Sequence, residues 1–220
     1  MRRTVGRAGT VMAMVTMTLG AVATAEASPI TISFTGVVSS VSGGLGGDFA
    51  VGDVLTGSYT FESTTAARAG SDSTFAVYDA ITDLSFTLGT YSAATAGPAP
   101  NGEIQIDNDP PSPFVDRYGV LSRVSDGLVG PSAGGQPLIA FGFRLDDSTN
   151  TAFSDALVLP TSLALSDFTS SAFFVFFGTE LVDGTLTSVR VQAVPEPATL
   201  GLISLGLAAL AGRKLRRARS

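Results

Sequence analysis

The chain contains no cysteine and no histidine, and this excludes several common kinds of functional site. Disulfide bonds cannot form, so the folded part must be stabilised by packing and hydrogen bonds alone. A Ser-His-Asp triad, a Cys-His pair and a zinc site of the usual ligands all need the missing residues. Tryptophan is also absent, which removes the indole ring as a platform for sugars. We therefore predict no enzyme activity, no catalytic residues and no cofactor.

Positive charge is scarce in the middle of the chain. The sequence has 13 basic and 19 acidic residues, but eight of the basic ones lie within the first seven and the last eight residues. Between Ser28 and Val194 there are five arginines, no lysine and 17 acidic residues, a net charge of −12. Such a surface repels phosphate backbones and anionic lipid head groups, so we predict no nucleic-acid partner.

The N-terminus has the pattern of a secretory signal peptide. Three arginines within the first seven residues precede an apolar run over residues 8–25, which predicts a signal helix. The small residues Ala25 and Ala27 then mark a cleavage site, so residues 1–27 are predicted to be removed. A twin-arginine signal is disfavoured because the residues after the arginine pair lack the rest of that pattern. A retained N-terminal anchor is the remaining alternative.

Three blocks lie end to end at the C-terminus. The first block is Val194, Pro195, Glu196 and Pro197, in which the two prolines keep the backbone extended. The second, Ala198–Gly212, is uncharged and has 15 residues, so it spans a bilayer only with help from its flanks. The third is a basic cluster made of Arg213, Lys214, Arg216, Arg217 and Arg219. The pattern predicts a short transmembrane helix whose basic end stays in the cytoplasm.

This order of motif, apolar span and basic cluster resembles the PEP-CTERM sorting signal of Gram-negative envelope and biofilm proteins. The resemblance implies that exosortase, a membrane-embedded cysteine protease and transpeptidase, cuts near Pro195–Pro197. Residues 195–220 are then a sorting and anchor segment, and a plain C-terminal membrane anchor is the alternative. The resemblance further implies a precursor anchored in the inner membrane that later reaches the cell surface or the extracellular space.

The middle of the chain, residues 28–194, alternates apolar and polar residues over short runs separated by turns. About nine such strands, and no convincing amphipathic helix, predict an all-β domain, an antiparallel β-sandwich of jelly-roll type. The Ile30–Val38 and Val51–Phe61 segments also resemble the opening of many PEP-CTERM precursors, which hints at a fold but not at an activity. The alternation predicts a core made of Ile32, Phe34, Tyr59, Phe61, Leu84, Phe86, Ile104, Ile106, Tyr118, Ile139, Phe141, Phe143, Phe174, Phe176 and Val189.

Two segments depart from simple alternation. Ala172–Phe177 is apolar at both parities, which predicts a central strand that is covered on both faces. Asp146–Asp167 lacks a steady period, and we predict a helical turn within it near Ser154–Leu157.

Oxygen ligands for a hard cation such as calcium are concentrated in two loops. The candidates are Asp107, Asn108 and Asp109 in one loop, and Asp146, Asp147 and Asn150 in the other. Neither loop has the EF-hand pattern, and Gly43–Asp48 is a single copy of a calcium repeat that works only in stacks. Solvated turn residues are the alternative that the sequence favours.

A glycosidase needs two carboxylates and neither histidine nor cysteine. Glu62, Glu103 and Glu180 could each supply half of such a pair, but no spacing in the sequence places two of them across a cleft.

Together these features predict an exported, exosortase-processed protein of the cell surface or the extracellular matrix. Its expected role is structural or adhesive, in the envelope or a biofilm. The alternative is a carbohydrate-binding β-sandwich module that recognises exopolysaccharide, and a carboxylate-based glycosidase is less favoured. Expected partners are exosortase, the secretory translocon, the membrane through the C-terminal helix before processing, and exopolysaccharide.

Overall fold

The computed structural model describes residues 29–109 and 115–192. This part forms eleven strands: β1 Pro29–Val41, β2 Val54–Glu62, β3 Phe75–Tyr78, β4 Ile81–Leu88, β5 Tyr91–Thr95, β6 Glu103–Asp107, β7 Asp116–Arg123, β8 Leu128–Val129, β9 Leu138–Asp147, β10 Ser170–Phe177 and β11 Glu180–Gln192. Its only helices are of the 3₁₀ type, at Gly43–Leu45, Val124–Asp126 and Leu165–Asp167. Among these residues, none forms a helix that is long and apolar enough to cross a membrane. The predicted signal and transmembrane helices lie outside the described residues.

All eleven strands belong to one sheet, in the order β3-β6-β7-β9-β10-β11-β1-β2-β4-β5-β8, and every pairing is antiparallel. The first strand, β1, pairs with the last, β11, near the middle of the sheet. The predicted all-β antiparallel class is confirmed. The predicted jelly-roll topology is wrong, because a jelly roll has two sheets, whereas these eleven strands form one. Five of its ten pairings join strands that are consecutive in the chain, and the other five join strands that are not.

The sheet curls until its two halves face each other across a single core. Phe34 on β1 stacks on Phe141 on β9 with ring centroids 5.5 Å apart, although two strands separate β1 from β9. The hydroxyl groups of Tyr59 on β2 and Tyr118 on β7 are hydrogen-bonded at 2.9 Å, although four strands lie between them. The architecture is therefore sandwich-like, made from one curled sheet.

The predicted inward positions are largely correct. Twelve predicted core residues are at most 5 % exposed: Ile32, Phe34, Tyr59, Phe61, Leu84, Phe86, Ile104, Ile106, Tyr118, Phe141, Phe143 and Val189. Burying one such side chain contributes about 1.5–3 kcal/mol relative to leaving it exposed. Period-2 alternation was thus sufficient to find most of the core.

Ile139 was predicted to be buried but is 43 % exposed. In the pairing of β9 with β10, Phe176 lies opposite Ala140 and Phe177 lies opposite Leu138. One residue of β9, Ile139, is therefore left out of the ladder in a β-bulge. The bulge shifts the alternation by one position, and Leu138 takes the place in the core.

Strand β10 is central in the sheet, as predicted, but only one of its faces is covered. Phe173, Val175 and Phe177 are fully buried, whereas Phe174 is partly buried and Phe176 is 38 % exposed. Both parities of this strand are apolar, so alternation does not show which one faces the core, and the predicted core positions Phe174 and Phe176 are wrong. Phe174 and Phe176 instead lie on the outer face of the sheet.

Two glycines on the inner face make room for aromatic rings. A Cβ atom on Gly57 would collide with the ring of Phe34, its cross-strand partner, and a Cβ atom on Gly184 would collide with the ring of Phe173. Each ring therefore lies directly against glycine backbone. A larger residue at either position would separate the strands or displace the ring.

The segment between β9 and β10 is a long loop that covers one side of the core. Ala156 is fully buried, and its carbonyl accepts a hydrogen bond of 2.7 Å from the hydroxyl of Tyr78. Leu159 and Leu163 are also buried. The helical turn predicted at Ser154–Leu157 is wrong: the chain makes a simple turn there, held by the contact with Tyr78.

Candidate functional site

The outer face of the sheet has two chemically different halves. The half over β11, β1, β2, β4 and β5 is here named the hydroxyl face, and it carries Thr31, Ser33, Thr35, Thr56, Ser58, Thr60, Ser85, Thr87, Ser92, Thr185 and Thr187. Three hydroxyl pairs bond across strands: Thr31 with Thr60 at 2.8 Å, Thr35 with Thr187 at 2.9 Å, and Thr56 with Thr87 at 2.6 Å. Such cross-strand pairs stabilise a sheet by roughly 0.2–1 kcal/mol each. A contribution to stability therefore explains the hydroxyl residues on this half.

A wide, shallow groove of about 500 Å³ crosses the hydroxyl face. Thr56, Ser85, Thr87 and Ser92 line it, and no charged residue takes part in its lining. Two of these hydroxyls already bond to each other, and the only aromatic residue in the lining, Phe86, is 2 % exposed. The groove offers few unoccupied polar groups and no accessible ring to a ligand.

The other half of the outer face, over β6, β7, β9 and β10, is here named the arginine face. It gathers four arginines: Arg68, Arg117, Arg123 and Arg144. Glu103 lies between two of them, since Oε2 is 2.8 Å from Nη2 of Arg68 and Oε1 is 3.0 Å from Nη2 of Arg123. Asp146 lies between the other two, 2.6 Å from Nε of Arg117 and 3.3 Å from Nε of Arg144. Asp79, Asp107 and Asp126 also contact these arginines, so five carboxylates compensate the four guanidinium groups on this face.

A second groove, of about 150 Å³, lies in the arginine face above Gly119. Gly119 on β7 pairs with Gln105 on one side and with Arg144 on the other. Arg117, Phe174 and Glu103 also line it, together with the apolar residues Val120, Leu121 and Phe143. This depression is named the Gly119 groove.

The aromatic wall of the Gly119 groove is held in place from below. A Cβ atom on Gly142, the cross-strand partner of Phe174, would lie 2.5 Å from Cζ of the Phe174 ring. The ring therefore rests on glycine backbone. Phe176 lies beside it, with centroids 5.5 Å apart and planes at 56°, but does not line the groove.

The three weak calcium candidates, Asp107, Asn108 and Asp109, make separate contacts. Asp107, at the end of β6, accepts hydrogen bonds from Nε2 of Gln105 at 3.1 and 3.3 Å and lies 3.9 Å from Nη1 of Arg117. Burial raises the pKa of Asp107, and the contacts with Gln105 and Arg117 oppose that rise. Asn108 turns inward and donates from Nδ2 to the carbonyl of Ser73 at 3.0 Å.

Asp109, the third candidate, has a left-handed backbone with φ of 46°. Its N–H donates to Oδ1 of Asp116 at 2.7 Å. Asp116 is fully buried, and its Oδ2 accepts from the N–H of Phe153 at 3.2 Å. Asp116 thus joins the loop after β6 to the loop after β9, and its own N–H donates to Oδ1 of Asn150 at 3.0 Å.

Asp147, from the second candidate loop, is 1 % exposed and is saturated by its own loop. The N–H groups of Thr149 and Thr151 each donate to its carboxylate at 2.9 Å, and the Thr149 hydroxyl donates at 2.7 Å. The backbone donors of Thr151 and Thr149 lower the pKa of Asp147 to about 2. In the described part of the chain no three His, Cys, Asp or Glu side chains are grouped to hold a metal ion.

The carboxylates named for glycosidase chemistry lie in separate places. Glu62 ends β2, Glu180 begins β11 beside Gly44, and Glu103 is bound by two guanidinium groups. A cavity of about 60 Å³ does bring Asp79, Glu103 and Asp126 together. Each of these three carboxylates contacts Arg68 or Arg123, so their oxygens are occupied.

The first and last strands reach the same end of the sheet. Thr31, near the start of β1, pairs with Gln192, the last residue of β11. Paired strands lie about 4.7–4.9 Å apart, so the chain enters and leaves the domain side by side.

The residues that follow Gln192 decide the class of protein. Residues 193–217 match the family model of the PEP-CTERM protein-sorting motif. The chain carries a PEP-CTERM sorting signal. The resemblance seen in the sequence is confirmed, and the signal marks an exported protein targeted to exosortase. The curated proteins and the solved structures were also searched, and neither search returned a match to this chain.

The match covers Val194–Pro197 and the basic cluster as far as Arg217, while Arg219 lies beyond it. All of these residues, like Ala25 and Ala27 of the predicted signal-peptidase site, lie outside the described residues. Their individual roles, and the domain boundaries after residues 27 and 194, stay predictions for this PEP-CTERM protein.

The Gly119 groove was not predicted from the sequence. Its side chains come from four strands, and only the cross-strand register shows that Gln105, Gly119 and Arg144 lie in one row. Two signals were present: Gly119 and Gly142 interrupt strands, and glycine within a strand often marks close approach of another group. Neither signal says what approaches.

Proposed function

We propose that the mature domain has a structural or adhesive role at the cell surface or in the extracellular matrix, after processing by exosortase. The observation that carries this proposal is the sorting motif at residues 193–217, which begins directly after the last strand of an all-β domain. The net charge of −12 between Ser28 and Val194 favours solubility in an aqueous compartment outside the cell.

The topology supports the same role. Because β1 starts and β11 ends side by side, the two terminal segments are attached to one end of the domain. The turns at the other end of the β1–β11 pair, around Gly43–Leu45 and Gly178, then point away from the attachment. A domain held at one end exposes both the hydroxyl face and the arginine face to its surroundings.

The test is cell fractionation of strains with and without exosortase, using surface labelling to follow the domain. A variant with Pro195, Glu196 and Pro197 all changed to Ala should remain in the inner membrane, as should the wild type without exosortase. The matched control changes three outer hydroxyl residues, Ser33, Ser58 and Ser85, to Ala and should reach the surface normally. Equal surface amounts for the motif variant and the wild type would contradict the proposal. A second result would also contradict it: the protein reaches the surface, but a strain in which it is deleted attaches to surfaces and holds its matrix together as well as the wild type does.

Carbohydrate binding is the second candidate function. The observation that favours it is the Gly119 groove, where an aromatic ring, an amide and two guanidinium groups converge on the outer face. Planar polar side chains beside an accessible ring suit the hydroxyl groups and the apolar face of a sugar. Binding of the protein to an array of glycans tests this candidate, and no binding to any glycan would refute it.

Catalysis is not proposed. The carboxylates gathered in the arginine face are held by guanidinium groups, which leaves none of them placed as a general acid beside a second free carboxylate. Release of reducing ends from soluble polysaccharides would overturn this view.

A further inference from the structure

We propose that the Gly119 groove is a subsite for one sugar ring of a neutral polysaccharide, with the ring stacked on Phe174. This inference rests on the second candidate function, carbohydrate binding, and names its site and ligand class. It does not depend on the structural or adhesive role.

The room for a ligand comes from a missing side chain. A Cβ atom on Gly119 would meet only Gln105, with Cβ at 3.6 Å and the carbonyl oxygen at 3.9 Å, which are ordinary contacts. Gly142, one strand away, has its space filled by the ring of Phe174. The outer face is therefore filled at Gly142 and open at Gly119. The cavity of about 150 Å³ is smaller than the roughly 300–1,000 Å³ of drug-sized pockets and suits a single ring.

The polar groups around the opening have partners within the protein. Nε2 of Gln105 donates to Asp107 at 3.1 and 3.3 Å, which leaves Oε1 to accept a hydrogen bond from a hydroxyl. Nε of Arg144 lies 3.3 Å from Asp146, and the side chain is 53 % exposed, so this guanidinium group is accessible to a ligand. Arg117 is held by Asp146 at 2.6 Å. Because Gln105 and Arg117 are already hydrogen-bonded, binding costs little conformational entropy at these two side chains.

The aromatic wall matches the other side of a sugar. A pyranose ring has one apolar face of C–H groups and a rim of hydroxyls. Phe174 is partly exposed, and its ring rests on Gly142, so it presents an apolar surface of fixed orientation. The hydroxyl rim then faces Gln105 and Arg144 across the groove.

Charge selects a neutral chain over an anionic one. Two carboxylates, Asp146 and Asp107, compensate the guanidinium groups of Arg117 and Arg144. The carboxylate of Glu103 is compensated by Arg68 and Arg123. No uncompensated positive charge is left in the groove for a uronic acid. The net charge of −12 on the whole domain further repels a polyanion.

The experiment is native gel electrophoresis of the full-length chain in neutral detergent, with a polysaccharide cast into the gel. Dextran, mannan and hydroxyethyl cellulose are the neutral probes, and alginate is the anionic probe. Retardation as a function of polymer concentration gives a dissociation constant. We expect retardation by at least one neutral polymer and none by alginate.

Two variants test the subsite itself. Gly119→Val fills the groove with a residue that strands favour and that meets no close contact at Cβ, and Phe174→Ala removes the wall. Each should weaken binding by about tenfold or more, corresponding to about 1.4 kcal/mol. Phe176→Ala, a neighbouring outer phenylalanine that does not line the groove, is the matched control and should bind within about twofold of wild type. Thermal unfolding of all three shows whether each variant is folded.

The outcomes separate the inference from the proposals on which it draws. Wild-type binding to a neutral polymer that survives Gly119→Val overturns the subsite but leaves carbohydrate binding standing. Absence of binding to every polymer, or preference for alginate, also overturns the subsite. Export and processing of the same variants are measured in parallel, because normal processing without any glycan binding leaves the structural or adhesive role intact.

Discussion

The hydrogen bond between Tyr59 and Tyr118 provides a direct test of the curled sheet. The two hydroxyl oxygens are 2.9 Å apart, both residues are 0 % exposed, and four strands separate β2 from β7 within the sheet. Burial raises the pKa of both tyrosines well above the usual value, so both are neutral at physiological pH. Only a sheet that folds back on itself brings these hydroxyls together.

The expected magnitude follows from what each substitution leaves behind. Tyr59→Phe leaves the Tyr118 hydroxyl buried without a partner, which costs about 1–3 kcal/mol, and Tyr118→Phe does the same in reverse. The double variant leaves no unpaired hydroxyl, so its loss should be smaller than the sum of the single losses. We expect a coupling energy of about 1 kcal/mol or more, in the range for residues in contact.

The assay is equilibrium unfolding in urea of wild type, both single variants and the double variant. Because the chain has no tryptophan, far-ultraviolet circular dichroism follows the loss of strand. The matched control is Tyr91→Phe, which removes a hydroxyl that donates to the carbonyl of Pro131 at 3.0 Å. Tyr91→Phe and Tyr59→Phe should be additive. Additivity of Tyr59→Phe with Tyr118→Phe within about 0.5 kcal/mol would refute the facing halves.

Three further changes test the loops, the outer face and the C-terminal motif. Asp147 has its pKa lowered to about 2 from 3.8, so its stabilisation is complete above about pH 4 and is lost as pH falls towards 2. Asp147→Asn should therefore show a smaller drop in melting temperature between pH 6 and pH 2, and an unchanged drop would contradict this. Gly142→Ala places Cβ 2.6 Å from the Val120 carbonyl oxygen and should lower the free energy of unfolding by about 1–3 kcal/mol. Its comparison is Gly119→Ala, for which no loss is expected, and equal stability of the two variants would refute the argument. A flexible linker inserted between Gln192 and Pro195 should speed processing in a pulse-chase experiment, because Gln192 is still paired with β1, and an unchanged rate would count against it.

The strands were predictable because one face of each is buried. Alternation at period 2 is a local signal, and it located strands such as β4 and β6 with both parities assigned correctly. Alternation could not assign the buried face in two places. In β10 both parities are apolar, and at Ile139 a bulge shifts the parity without any mark in the sequence.

The topology could not be predicted from the same signals. The pairing of β1 with β11 joins Thr31 to Gln192 and depends on no local turn. Loop length and turn chemistry specify hairpins such as β4–β5, but the choice between one curled sheet and the two sheets of a jelly roll depends on non-local contacts. The curled sheet became visible only through contacts such as Phe34 with Phe141.

The functional residues divide in the same way. The C-terminal signal is linear in sequence, so Val194–Pro197 and the basic cluster could be recognised without a structure. The Gly119 groove is defined by a missing side chain and by register across four strands. Asp107 and Asp147, in contrast, were noticed as possible calcium ligands. Their contacts show local roles, with Asp107 bound to Gln105 and Asp147 saturated by its own loop.

Mass spectrometry of the mature C-terminus tests the central claim most directly. The protein is recovered from the cell surface and the medium of an exosortase-positive strain and compared with protein from a strain that lacks exosortase. Processing at the sorting motif predicts a chain that ends near Pro195–Pro197 in the first strain and an intact Ser220 in the second. An intact Ser220 in both strains would contradict the account and identify the tail as a simple membrane anchor.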